Sequence, residues 1–200
     1  MITQSDSARG WELNSDKELW MAFSSGNRQA FSVLFIRFYD RLFRYGMNLY
    51  PYAETVKDSI QSLFLRLWKK RSKLEVPDSV SGYLYISLRR TLFRSKEKQT
   101  MMSKRHDEYT QYTFINILDM EHAMIDGEEE KERKMLLQQA IASLTSRQKE
   151  ALLLRIDSGL SNQEIAGIME ISDKRVRNLI YEAIKGLREY MYNRKAADLR

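Results

Sequence analysis

Two hundred residues are enough for one or two small domains. Hydrophobic residues make up 43% of them, which excludes global disorder, and a formal net charge of +6 with a pI of 9.4 suits a polyanionic partner such as nucleic acid. Cysteine is absent, which excludes disulfides, thiolate metal sites and a thiol nucleophile and fits a reducing cytoplasm.

The stretch from Met1 to Trp11 is polar and lacks the apolar core of a signal peptide, and no apolar run approaches the length of a membrane span. A cytoplasmic protein is therefore expected. Ser15-Asp16-Lys17-Glu18 reads as a capping box opening a short helix that stops near Gly26. Phe31, Leu34, Phe35, Phe38, Leu42, Tyr45 and Leu49 then recur at three- and four-residue spacing, which predicts one face of a long helix broken at Pro51. A third helix is expected from Ala53 to about Ser72, with Val56, Ile60, Leu63, Phe64 and Leu67 on its apolar face. A loop through Pro77 leads to a fourth, from about Ser79 to Lys98, on Val80, Tyr83, Leu84, Leu88 and Leu92.

Charge changes sign beyond this point. Bases dominate from Arg66 to Arg105, whereas Asp107 to Glu132 is rich in acids. The switch, with weak apolar periodicity, predicts a linker between two modules, with Tyr109 to Leu118 apolar enough for part of it to dock. The expected organisation is a domain over residues 1–100, a linker over 101–127 and a second domain over 128–200. In the second, Leu136, Leu137, Ala140, Ile141 and Leu144 mark a helix. Thr145-Ser146-Arg147-Gln148 caps the next, which Gly159 closes, and Ser161-Asn162-Gln163-Glu164 caps a very short one. Ser172 caps a last long helix running to about Tyr192. The fold class expected is all-α, two small helical domains joined by a linker.

The most specific motif lies between Asn162 and Tyr181. A helix-turn-helix needs a small residue where its helices cross, supplied by Ala166. It also needs buried apolar groups around the turn, supplied by Ile165, Met169, Ile171, Val176 and Leu179. Its second helix must offer a polar face to the major groove. Ser172, Asp173, Lys174, Arg175, Arg177, Asn178, Tyr181 and Lys185 are the candidates. Arg pairs in bidentate fashion with guanine and Asn with adenine, while Lys174 and Lys185 suit phosphate. Glycine commonly stands at such a turn; here Glu170 does, so a left-handed turn there would be mildly strained. The competing reading is an ordinary three-helix bundle with a solvated face, which would not require all these positions together.

Two further surfaces come from the first domain. Asp58 and Gln61 share a helix face that Leu65 and Trp68 extend, a polar pair beside an aromatic anchor as protein interfaces use. The alternative folds Trp68 into the core. The fourth helix interleaves Tyr83, Tyr85 and Phe93 with Arg89, Arg90 and Arg94, after a basic loop containing Lys70 and Arg71. That mixture suits an unpaired strand, cations following the backbone and rings stacking on bases; the alternative makes Tyr83 and Phe93 core residues. His106 and His122 lack neighbours at metal spacing, and no nucleophile set, phosphate loop or carboxylate pair is present, so no cofactor, metal, small-molecule substrate or enzymatic activity is expected.

In the order of these motifs the chain resembles the extracytoplasmic-function sigma factors, the smallest branch of the sigma-70 family. Residues from about Phe31 to Lys98 resemble its region 2 and from about Leu136 to Tyr190 its region 4, where Leu144-Thr145-Ser146-Arg147-Gln148 and Val176-Arg177-Asn178-Leu179-Ile180-Tyr181 are similar to the family signature. The resemblance implies a factor that directs core RNA polymerase to promoters. The Asp58–Gln61 helix would bind the β′ clamp helices, with the β flap as a second polymerase contact. Tyr83-Leu84-Tyr85 and the loop from Arg71 to Val80 would contact the melted −10 element, and the helix from Ser172 to Lys185 would read the −35 element. It also implies an anti-sigma partner, often membrane-anchored. Ser62, Arg90 and Arg94 depart from the family pattern, where acidic, Asn and Asp residues are common, which shifts the fourth helix toward phosphate contact. The runner-up is a stand-alone dimeric helix-turn-helix regulator. It predicts specific binding of free protein to a palindrome with half-sites about 34–36 Å apart. A third reading, an enzyme acting on nucleic acid, would show as Mg²⁺-dependent nuclease activity.

Overall fold

The computed structural model describes residues 14–99 and 128–198, with side chains for 14–94 and 135–193. The expected linker at 101–127, the docking stretch Tyr109 to Leu118, both histidines and the segment Met1 to Trp11 lie outside the described residues.

In chain order the helices are α1 (Asp16–Ser24), α2 (Arg28–Leu49), α3 (Ala53–Lys70), a 3-10 turn (Arg71–Lys73), α4 (Val80–Gln99), α5 (Glu128–Ala142), α6 (Ser146–Ile156), α7 (Asn162–Met169) and α8 (Asp173–Asp198). No strand occurs among the described residues. Helices α1, α3, α4 and α2 as far as Gly46 belong to one compact unit, and the last four helices to another. No described helix is long and apolar enough to cross a membrane.

Helix starts follow the capping residues of the sequence. Ser15, Thr145 and Ser161 each close a complete capping box, with Glu18, Gln148 and Glu164 reaching back to the cap amide. The two bonds to Ser15 favour the charged Glu18 carboxylate and lower its pKa. Asn27 caps α2 through its Oδ1, which accepts from Gln29 and Ala30 at 2.9 and 3.0 Å, and Ser79 caps α4 by accepting from Gly82 at 3.0 Å. The last helix runs past the expected end at Tyr192 to Asp198.

In the first unit α3 packs on α4, and α1 lies against α4 and the 3-10 turn. Between α2 and α3 the contact is made by rings. Phe31 meets Phe64 and Trp68, and Phe35 meets Phe64, at centroid distances of 5.0 to 5.9 Å. Farther along, α2 must come close. A Cβ on Gly46 would lie 2.5 Å from a Val56 methyl, so only glycine fits there. Val56, Ile60, Leu84, Leu88 and Leu42 are 0 to 1% exposed, each contributing about 1.5–3 kcal/mol by burial. In the second unit α8 packs against α5, α6 and α7, around Leu152, Leu154, Ile165, Val176 and Ala183. Ala140 and Ile141 on α5 are buried as expected, while Leu136 and Leu137 are only half-buried.

Candidate nucleic-acid interface

The helix-turn-helix is built from α7 and α8. Eight residues of α7 end at Glu170, whose backbone is left-handed at φ 54°, ψ 47°. The Ile171 amide donates back to the Ala166 carbonyl at 3.1 Å, and Ser172 Oγ accepts from the Arg175 amide at 3.3 Å to start α8. Ile165, Met169, Val176 and Leu179 are buried at 0 to 3% exposure; Ile171 and Ala166 are half-buried. Ile168, at 1% exposure, belongs to the same core. Its position three residues after Ile165 was the available signal.

Lys174, Arg175, Arg177, Asn178, Tyr181 and Lys185 project from α8 into solvent, Tyr181 with 69% of its surface exposed. Lys174, Asn178, Tyr181 and Lys185 follow helical spacing and form one stripe. Ser172 and Asp173 have a different role. The first spends its hydroxyl on the helix cap, and the second, half-buried in the first turn, holds Arg177 at 2.8 Å. An exposed pair of this kind adds little stability but orients the guanidinium. Lys185 has Glu189 at 3.7 Å, one turn on.

On α3 the spacing of Asp58, Gln61, Leu65 and Trp68 places them along one line. The first three are exposed, Leu65 at 54%. Trp68 is half-buried, its ring 5.0 Å from Phe31 and 6.3 Å from Phe23, with the Arg71 guanidinium 4.5 Å over it. It thus ends the exposed line by packing into the ring cluster between α1, α2 and α3. Ile36 of α2, 72% exposed, was not singled out in the sequence, because its neighbours Leu34, Phe35 and Phe38 carry the helical period.

The fourth helix requires a correction. Tyr85 is a core residue with 0% exposure, its ring edge-on to Tyr45 at 5.0 Å, and it has no face to offer a base. The reason is periodicity. Tyr85, Leu88 and Leu92 stand at i, i+3 and i+7, on the side of α4 turned inward. Tyr83 is half-buried and meets Trp20 edge-on at 5.2 Å. Arg89 is half-buried, 3.3 Å from the Tyr45 hydroxyl and 4.7 Å over the Phe93 ring. Phe93, which one reading put in the core, is 42% exposed beside the exposed Arg90 and Arg94. In the preceding segment Lys70 is exposed, whereas Arg71 is half-buried and donates to the Trp68 carbonyl at 2.8 Å. Its guanidinium is committed to the fold, so Lys70 and Lys73 carry the free charge of the turn. Among the described residues no group of His, Cys, Asp or Glu gathers as it would around a metal ion.

The chain matches the sequence profiles of two protein families, sigma-70 region 2 over residues 34–101 and sigma-70 region 4 over residues 134–187. No curated protein matches the chain. Several solved structures share the fold, among them the following two. One is CnrH in complex with the cytosolic domain of CnrY, 16% identical, with a TM-score of 0.58 over 90% of this chain and 99% of that one. The other is the sigma factor RpoE from Bartonella quintana in complex with the anti-sigma factor NepR, 16% identical, with a TM-score of 0.54 over 81% of this chain and 96% of that one. At such identity the likeness speaks to the fold. The two profiles together take in more than half of the chain, one on each helical unit, and with a helix-turn-helix in the second unit they make it a member of the sigma-70 family, of the extracytoplasmic-function type.

Proposed function

We propose that this sigma factor divides its work between three segments: residues 1–100 bind core polymerase and the opened −10 element, 101–127 link, and 128–200 read the −35 element. The observation that carries the reading is the pairing of region 2 and region 4 on separate units, the second presenting a cationic, unburied stripe on α8. Asp58, Gln61 and Leu65 form the polymerase-facing surface, anchored at its end by Trp68. Lys70, Tyr83, Arg89, Arg90 and Arg94 follow the unpaired strand, and Arg71 sets the turn that carries Lys70 and Lys73. Arg175 and Asn178 read base edges, with Arg177 and Tyr181 beside them. Lys174 and Lys185 meet phosphates, while Ser172 and Asp173 hold the reading helix in register.

Each module binds DNA weakly by itself. A tether of about 30 residues reaches on the order of 100 Å when extended, enough to occupy two promoter elements at once. Docking on polymerase makes the second contact effectively intramolecular. Capture of unstacked bases by the first module then opens the duplex with no bond broken in DNA or nucleotide, so the factor itself is not an enzyme. It works in the cytoplasm, where polymerase is. Because RpoE is found in complex with an anti-sigma factor and CnrH in complex with the cytosolic domain of CnrY, we extend the proposal to a protein inhibitor that covers the α3 face.

The test is transcription reconstituted with core polymerase. Promoter-specific transcripts should require both the factor and the core enzyme, and free protein should bind promoter duplex poorly. Tight binding of the free chain, as a dimer, to a palindromic site would refute the reading.

A further inference from the structure

We infer that Trp20 of α1 is a positioning residue for −10 recognition: its indole N–H holds the loop before α4, and its ring holds Tyr83, in the form that meets the unpaired strand. This rests on the sigma-factor reading above. Trp20 precedes the residues that match region 2, which begin at 34, and no motif drew attention to it.

The loop from Leu74 to Ser79 joins α3 and its 3-10 turn to α4. Ordering six loop residues costs about 1–2 kcal/mol each in backbone entropy, so such a segment stays ordered only where something ties it down. Three ties are present. At its start the Leu74 amide donates to the Arg71 carbonyl at 3.3 Å, with Arg71 itself fastened to the Trp68 carbonyl and ring. At its end Ser79 caps α4. In the middle the Trp20 Nε1–H donates to the Glu75 carbonyl at 3.1 Å, across 55 residues of sequence. The indole is 1% exposed, so its single donor cannot turn to water, and losing the carbonyl would leave it unsatisfied in the interior. The loop and the indole therefore hold each other.

What the tie fixes is the surface on the other side. Lys73, Val76 and Asp78 are exposed along the segment, Val76 at 43%. They lead directly into Tyr83, whose ring rests edge-on against Trp20. One buried side chain thus sets both the loop and the first aromatic ring of α4, without touching DNA. A surface held ready in this way loses less freedom when a strand binds, and it discriminates between bases because it cannot relax around the wrong one.

The experiment uses holoenzyme reconstituted from core polymerase and the full chain, transcribing a template library randomised at the −10 and −35 elements, with transcripts sequenced. Two variants remove the donor: Trp20→Phe, and Trp20 replaced by 3-benzothienylalanine, which keeps the bicyclic shape with sulfur in place of N–H and so guards against a packing defect. Both should flatten base preference at one or two −10 positions by about fivefold, the effect of one lost neutral hydrogen bond. Preferences at −35 and affinity for core polymerase should stay as in the wild type, and the amides of residues 74–76, 78 and 79 should exchange faster. Unchanged −10 preferences in the benzothienyl variant overturn the inference. So does an equal loss of −35 preference and core affinity, which marks a general structural role. If the wild-type holoenzyme yields no promoter-dependent transcript, the sigma reading itself fails, and the inference with it.

Discussion

Glu170 is the one non-glycine residue with positive φ among those described, and it sits at the turn that sets α8 against α7. A left-handed conformation costs an L-residue about 1–2 kcal/mol, because its Cβ crowds the following carbonyl. Glycine carries no such strain but gives up about 0.5–1 kcal/mol more backbone freedom on folding. Glu170→Gly should therefore leave the second unit more stable than Glu170→Ala by about 0.5–1 kcal/mol. Glu170→Ala removes the same carboxylate and keeps the Cβ, so the difference between the two variants isolates the backbone effect at about 1 kcal/mol. For a unit of this size that corresponds to about 4–8 °C in Tm. Calorimetry of the full chain measures it, with hydrogen exchange at Val176 and Leu179 assigning the transition to the second unit. An alanine variant as stable as the glycine variant, or more so, would show that the turn is unstrained and that α8 is positioned by its core contacts alone.

Three other perturbations separate the surfaces. Arg175→Ala should lower affinity of the holoenzyme for its preferred −35 sequence by about 1–3 kcal/mol and relax preference at one position. Lys174→Ala should weaken all sequences alike and reduce the salt slope by about 1, both read from binding titrations over a salt series. Asp58→Ala should weaken association with core polymerase about five- to tenfold while −35 preference is kept, as measured by fluorescence anisotropy against labelled core enzyme. Lys149 is buried in α6 with its ammonium 3.3 Å from the Ala142 carbonyl, and burial pushes its pKa below the ordinary 10.5. Between the lowered value and 10.5 the unfolded chain binds the proton and the folded one does not, so stability rises with pH across that window. Lys149→Met should flatten this rise in urea titrations, and an unaltered slope would place its origin elsewhere.

Helix positions were legible in the sequence because local rules set them. Three capping boxes, the breaker at Pro51 and runs of three- and four-residue spacing place the helix starts and the apolar faces with no knowledge of the neighbours. The outward face of α8 was legible for the same reason, since Val176 and Leu179 mark the buried side and leave Lys174, Arg175, Asn178 and Tyr181 on the other. The family was legible because those motifs occur in a fixed order.

What tertiary structure alone decided is the fate of side chains whose chemistry suits two places. Tyr85 and Phe93 are both aromatic and both lie among arginines, yet one is sealed against Tyr45 and the other is open to solvent. Arg71 and Lys70 are adjacent cations, yet the first is drawn over Trp68 and bonded to a carbonyl while the second is free. The bond from Trp20 to Glu75 joins residues 55 apart, and no local pattern encodes it. Sequence period sets which way a side chain leaves its own helix; what it then meets depends on another helix, and that partner is chosen by packing over long distances in the chain.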